Sequence, residues 1–142
     1  MTAPHPPPAG AGLLGLNAGN TADLIREVRN GFDPATVNRF LASTGLTQKQ
    51  SCLFAAIPPR SLSRRTAGGR LSPERSDRVL RAARLFEQAT DAFGGDAAAA
   101  RAWLQAPARS LGGESPLVLA ATEVGAREVE RVLGRLEHGV FT

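Results

Sequence analysis

Three times this chain sets a capping residue directly before proline: Asp33 with Pro34, Ser72 with Pro73 and Ser115 with Pro116. A side-chain oxygen at the N-cap followed by proline at the first helical position is a helix start signal. Apolar residues then recur at three- and four-residue steps. Over 35–43 the inward residues are Val37, Phe40 and Leu41. Over 73–93, a helix of roughly 30 Å, they are Val79, Ala82, Ala83, Phe86, Ala89, Thr90 and Phe93. Past Gly125 they are Val129, Val132, Leu133, Leu136 and Val140. No segment alternates apolar and polar residues as a half-buried strand does, so the spacing predicts an all-α fold.

The remaining helices follow from weaker signals. Thr21 caps a helix over 22–30 that turns Leu24, Ile25 and Val28 inward. Thr47 opens one over 48–56 with Cys52, Leu53 and Ala56 toward the core, and Pro59 begins a fourth that carries Arg60 to Arg65. Gly94 and Gly95 stop the long helix, and Asp96 caps an alanine-rich one that buries Trp103 and Leu104. Residues 117–121 are too short to cross a membrane and read as buried helical turns. Gly125 then marks a joint or a close packing point, and Gly134 reads as a second packing position. Residues 1–20 hold Pro4, Pro6, Pro7 and Pro8 and no charge, a composition expected to leave a disordered leader. The expected organisation is therefore a leader over 1–20, a unit over 21–70 and a second over 71–142.

Charge separates the two units. Residues 1–70 carry eight Lys/Arg against three Asp/Glu, while residues 71–142 carry nine against ten. The first half suits a polyanion and the second a protein surface. Sixteen of the 17 cations are arginine, a choice that suits forked contacts to phosphate or carboxylate and that GC-rich coding would also produce. Aromatic residues are only 5% and tyrosine is absent, which argues against a stacking platform for single strands.

The helices over 48–56 and from Pro59 onward, joined by a tight bend, have the helix-turn-helix layout. In that layout the second helix offers Arg60, Ser61, Ser63, Arg64 and Arg65 to bases and phosphates. Gln48 and Lys49 would hold neighbouring phosphates, and Arg70 adds a further cation. The turn reads Ala55, Ala56, Ile57, where such units commonly carry glycine. A non-glycine residue at positive φ would be strained.

Catalysis finds little footing. The one cysteine, Cys52, allows neither an internal disulfide nor a cysteine-based zinc cluster, and reads as a small buried hydrophobe. The two histidines, His5 and His138, lie far apart, and no carboxylates form a convincing acid–base couple. No phosphate-binding glycine motif or nucleophile elbow is present, so neither an enzyme nor a metal site is expected. Without a signal peptide or membrane span, a cytoplasmic protein is the expectation.

The string "LGGESPLVLAATEVGAREVERVLGRLEHGVF" resembles the toxin-binding domain of the Xre/MbcA/ParS antitoxins. The resemblance continues upstream through "GRLSPERSDRVLRAARLFEQATDAFGGDAAAARAWLQAP", about half the chain in all. The string "GLTQKQ…IPPRSLSRR" is similar to the helix-turn-helix of the same antitoxins. The resemblance implies a type II antitoxin that blocks a RES-type toxin of ADP-ribosyltransferase-like fold, which consumes NAD or modifies a target. This chain would then need no cofactor of its own. It also implies a homodimer within a hetero-oligomer, bound to double-stranded operator DNA as an autorepressor. Carried onto this sequence, the toxin-facing residues would be Glu123, Arg127, Glu130, Arg131, Arg135, Glu137, His138, Val140 and Phe141. Part of that set has a simpler use, because Glu123 four before Arg127 and Glu128 three before Arg131 support the helix. A plain helix-turn-helix repressor without a toxin partner, and an antitoxin whose DNA-binding unit has decayed, stay open beside this reading.

Overall fold

A computed structural model describes residues 7–63 and 69–139. Among them there is no strand, and the fold is all-α, as the spacing predicts. Helices α1 (Ala11–Leu14), α2 (Thr21–Asn30), α3 (Pro34–Thr44), α4 (Gln48–Ala55) and α5 (Arg60–Ser63) precede α6 (Pro73–Ala92). After it come α7 (Ala97–Gln105), a 3-10 turn (Arg109–Leu111), α8 (Pro116–Leu119) and α9 (Glu123–Glu137). All three proline starts form as read: the Asp33, Ser72 and Ser115 side chains accept from the backbone N–H of Thr36, Arg75 and Val118. The first cap differs by one residue. Asn20 caps α2 through the Asp23 N–H, and Thr21 is already helical.

Helix α6 is the spine. It buries Ser76, Leu80 and Leu85 besides the expected Val79, Ala82, Ala83, Phe86 and Ala89. The single stripe read from the sequence is too narrow because α6 packs on more than one side, against α1 to α4 as well as α7 and α9. One buried cluster therefore runs through both halves, with Phe32, Phe40, Phe54 and Phe86 at most 2% exposed. The expected division at residue 70 is no boundary in packing. The Leu71 N–H donates to the Phe32 carbonyl at 2.9 Å, and the Phe32 N–H donates to Ser76 Oγ at 2.8 Å. Gly31, just before, has φ 82°, and a Cβ there would collide with the Leu71 carbonyl oxygen. Only glycine lets these two chain segments meet so closely.

Three inward assignments are corrected. Ile25 and Leu53 are 47% and 46% exposed. In α4 the buried set is Ser51, Cys52, Phe54 and Ala55, and the 100° step between helical residues carries Leu53 off that face. Trp103 is only half-buried, its ring tilted against Phe93 at 6.1 Å, while Leu104 takes the core position.

The leader is the largest departure. Residues 7–20 are not a loose spacer: Ala11 and Leu14 are 0% exposed and Ala18 is 5% exposed. Helix α1 lies against both α3 and α6, and Ser43 Oγ donates to the Leu13 carbonyl at 3.1 Å. Beside it, burial pushes the Glu87 carboxyl above its ordinary value, against the pull of the Gly10 and Leu13 backbone N–H groups. The apolar residues at 11, 13, 14 and 16 thus find a surface on other helices that composition alone does not reveal.

Candidate functional site

Helix α4 begins in a full capping box. Thr47 Oγ1 accepts from the Gln50 N–H at 3.1 Å, and Gln50 Oε1 accepts from the Thr47 N–H at 3.0 Å. This holds Gln48 and Lys49 exposed in the first turn, where both can reach outward. At the other end Ala56 takes φ 55°, ψ 45°, the left-handed conformation that the missing glycine put in question. The Ala56 N–H donates to the Leu53 carbonyl at 3.2 Å and the Ile57 N–H to Cys52 at 3.0 Å, a Schellman closure. Arg78 of α6 donates from Nη1 to the Ala56 carbonyl at 3.3 Å and braces the turn from outside. The turn is therefore formed with alanine in a glycine's place, at a cost of about 1 kcal/mol. Ala56→Gly should raise stability by about 1 kcal/mol in urea unfolding, and no gain would mean that the turn is not left-handed in solution.

Of the residues read as DNA-facing on the second helix, Arg60 is exposed. Ser61 is half-buried, and its Oγ is covered and has no hydrogen-bond partner among the described residues. Arg64 and Arg65, and the side chain of Ser63, lie outside the described residues. Arg70 is engaged within the fold, donating from Nη1 to the Gly31 carbonyl at 2.8 Å. The Thr36 N–H at the start of α3 holds the Asp33 carboxyl below its ordinary value despite partial burial, and Arg70 adds to that pull. Of the DNA-facing residues read from the sequence, Gln48, Lys49, Arg60 and Arg70 are exposed, the last with one guanidinium nitrogen held by the Gly31 carbonyl.

The second surface is built on α9. Thr122 caps it, accepting from the Gly125 N–H at 3.0 Å. Glu123 then lies between two arginines: Arg127 Nε donates to Oε1 at 3.1 Å and Arg81 Nη1 to Oε2 at 3.3 Å. The bond from Arg127 is the main reason that the Glu123 carboxyl sits below its usual range, with Arg81 contributing. Arg81 also donates to the Ala121 carbonyl at 3.1 Å, so it pins the start of α9 to the spine. The second pair read from spacing forms too, Arg131 Nη1 to Glu128 Oε1 at 2.7 Å. Glu123, Arg127 and Arg131 are thus partly committed within the chain, whereas Arg135, Glu137 and His138 are exposed on the last turns. Val140 and Phe141 lie outside the described residues. Sequence reasoning missed Arg81 and Gln88, which act on α9 from about forty residues upstream. Gln88 Nε2 donates to the Glu130 carbonyl at 3.2 Å. Their only signal was a polar position on a helix read as having one buried side.

Among the described residues no three His, Cys, Asp or Glu side chains gather to hold a metal, and no helix is long and apolar enough to cross a membrane. Burial pushes the Cys52 thiol up, away from the thiolate a nucleophile needs.

Two family descriptions fit the chain in tandem. Residues 23–84 match the Antitoxin Xre-like helix-turn-helix domain, and residues 88–139 match the Antitoxin Xre/MbcA/ParS C-terminal toxin-binding domain. The chain is similar to an Antitoxin Xre of Yersinia enterocolitica serotype O:8 / biotype 1B, 38% identical over 148 residues that span 100% of both chains. It is also similar to an Antitoxin Xre of Photorhabdus laumondii subsp. laumondii, 40% identical over 90 residues covering 63% of this chain and 61% of that one.

Proposed function

The chain belongs to the antitoxin Xre family, and from that premise we propose that it binds and blocks a RES-type, NAD-consuming toxin and represses its own operator. As a type II antitoxin it joins a helix-turn-helix unit to a toxin-binding domain. The observation that carries the proposal is that both units are built on one helix. Arg78 of α6 braces the helix-turn-helix turn, and one helical turn later Arg81 holds the start of α9. On the DNA side, Gln48, Lys49 and Arg60 supply the exposed contacts, with Arg64 and Arg65 extending them to phosphates. A dimer would present two such units to half-sites roughly 34 Å apart. On the toxin side, the exposed end of α9 with Arg135, Glu137 and His138 leads into Val140 and Phe141, which would enter the toxin's active-site cleft. The alanine-built turn supports a working DNA-binding unit over a decayed one, because the left-handed closure is made without glycine.

Co-expression tests this reading. The neighbouring reading frame, expressed alone, should arrest growth, and this chain expressed with it should restore growth. Removing the last seven residues should abolish rescue and leave operator binding in a gel shift nearly unchanged. A harmless neighbour would favour a plain repressor, and rescue by the truncated chain would overturn the role given to the tail.

A further inference from the structure

Helices α6 and α9 run beside one another and leave an open groove of ≈ 690 Å³ between them. It is lined by Arg84 and Gln88 from α6 and by Glu123, Arg127, Glu130 and Arg131 from α9. Most of these groups are already matched within the chain. Glu123 is shared by Arg81 and Arg127, Arg131 is held by Glu128, and Gln88 is bonded to the Glu130 backbone. Two lining charges enter no ion pair among the described residues: Arg84 on one wall and Glu130 on the other. They lie in one groove without neutralising each other. The stem of Arg84 is packed over Gly10, where an added Cβ would come within 3.0 Å of its Cγ. Its guanidinium is therefore presented on an anchored stem, which lowers the ordering cost of a contact made there.

Resting on the antitoxin reading above, we propose that this groove is a second toxin contact, separate from the chain end. It takes a toxin segment of mixed charge that sets a carboxylate on Arg84 and a cation beside Glu130. A nucleic-acid strand fits poorly, because its phosphates would meet the carboxylates of Glu123 and Glu130 along the same wall. A protein segment carrying both signs matches both unpaired charges, and such complementarity fixes register and raises association rate. The family match to a toxin-binding domain begins at residue 88, so Arg84 extends the contact beyond it onto the spine helix.

The test uses the full chain and the purified product of the neighbouring toxin gene, with binding measured by calorimetry at low and high salt. Arg84→Glu and Glu130→Arg should each weaken toxin binding by about thirtyfold at low salt, and by less at high salt. Arg84→Gln keeps part of the stem over Gly10, and should weaken binding by about tenfold with an unchanged Tm. Operator affinity should not move in any of the three. If Arg84→Gln binds toxin as wild type does, the groove assignment is overturned while the antitoxin reading stands. Loss of operator affinity in place of toxin affinity would make the groove a phosphate contact and overturn it as well. If the wild-type chain binds no toxin, the antitoxin reading falls first and the groove assignment falls with it.

Discussion

Gly125→Ala is expected to destabilise the protein by about 2 kcal/mol, although alanine is the better helix former by about 1 kcal/mol. Gly125 is the third residue of α9, and a Cβ there would overlap the backbone carbonyl of Leu119 at the end of α8. Both partners are fixed: the glycine by helical φ and ψ, the carbonyl by the short turn joining the two helices. No side chain can rotate away, so the overlap is relieved only by moving α8 from α9, which costs about 3 kcal/mol. That exceeds the propensity gain and sets the sign. The control lies in the same helix. Around Gly134 an added Cβ meets nothing within 4 Å, so Gly134→Ala should stabilise by up to about 1 kcal/mol. Urea unfolding of the two variants distinguishes a close approach from a general intolerance of change. Equal effects of the two substitutions would sink the account. Because α9 carries the exposed last turns proposed to meet the toxin, Gly125→Ala is expected to weaken neutralisation more than operator binding.

These two glycines also show where sequence reading succeeds and stops. Gly125 is legible as a joint or close packing point, because it interrupts an apolar pattern just after a short run. Gly134 carries the same letter in the same helix, but its outer side is open, and no feature of the sequence distinguishes them. Helix starts were legible at Asp33, Ser72 and Ser115, since a cap and a following proline are local chemistry. Ala56 was legible as a problem, and its solution depends on a brace from Arg78, 22 residues on. The candidate site divides in the same way. Exposure of Lys49 and Arg60 follows from their place in a helix-turn-helix. The bond from Arg70 to the Gly31 carbonyl does not, because that contact exists only once the loop after α2 lies against the start of the spine. The side chains of Arg81, Arg84 and Gln88 escaped notice for one reason. They sit on a helix that packs on several sides, and a single periodic stripe cannot say which polar residues face a second partner.

The same limit governs the leader, where the second large effect is expected. Leu14→Ala should cost about 3 kcal/mol, in the range of a fully buried leucine, although sequence composition assigns it to a proline-rich tail. Leu14 is 0% exposed, on a helix wedged between α3 of the helix-turn-helix unit and the spine. Its contacts therefore tie α3 to the spine. A loose leader predicts something quite different, a change within about 0.5 kcal/mol, as for an exposed residue. Leu13, half-buried two places from Ala11, is the internal reference, and its truncation to alanine should cost less than that of Leu14. If α1 ties α3 to the spine as described, Leu14→Ala should also reduce the cooperativity of unfolding. The helix-turn-helix would then come away from the spine at lower denaturant than the α6, α7 and α9 core, seen as a split between fluorescence of Trp103 and far-UV circular dichroism. A single coincident transition at the wild-type midpoint would mean that residues 7–20 contribute nothing to holding α3 on the spine.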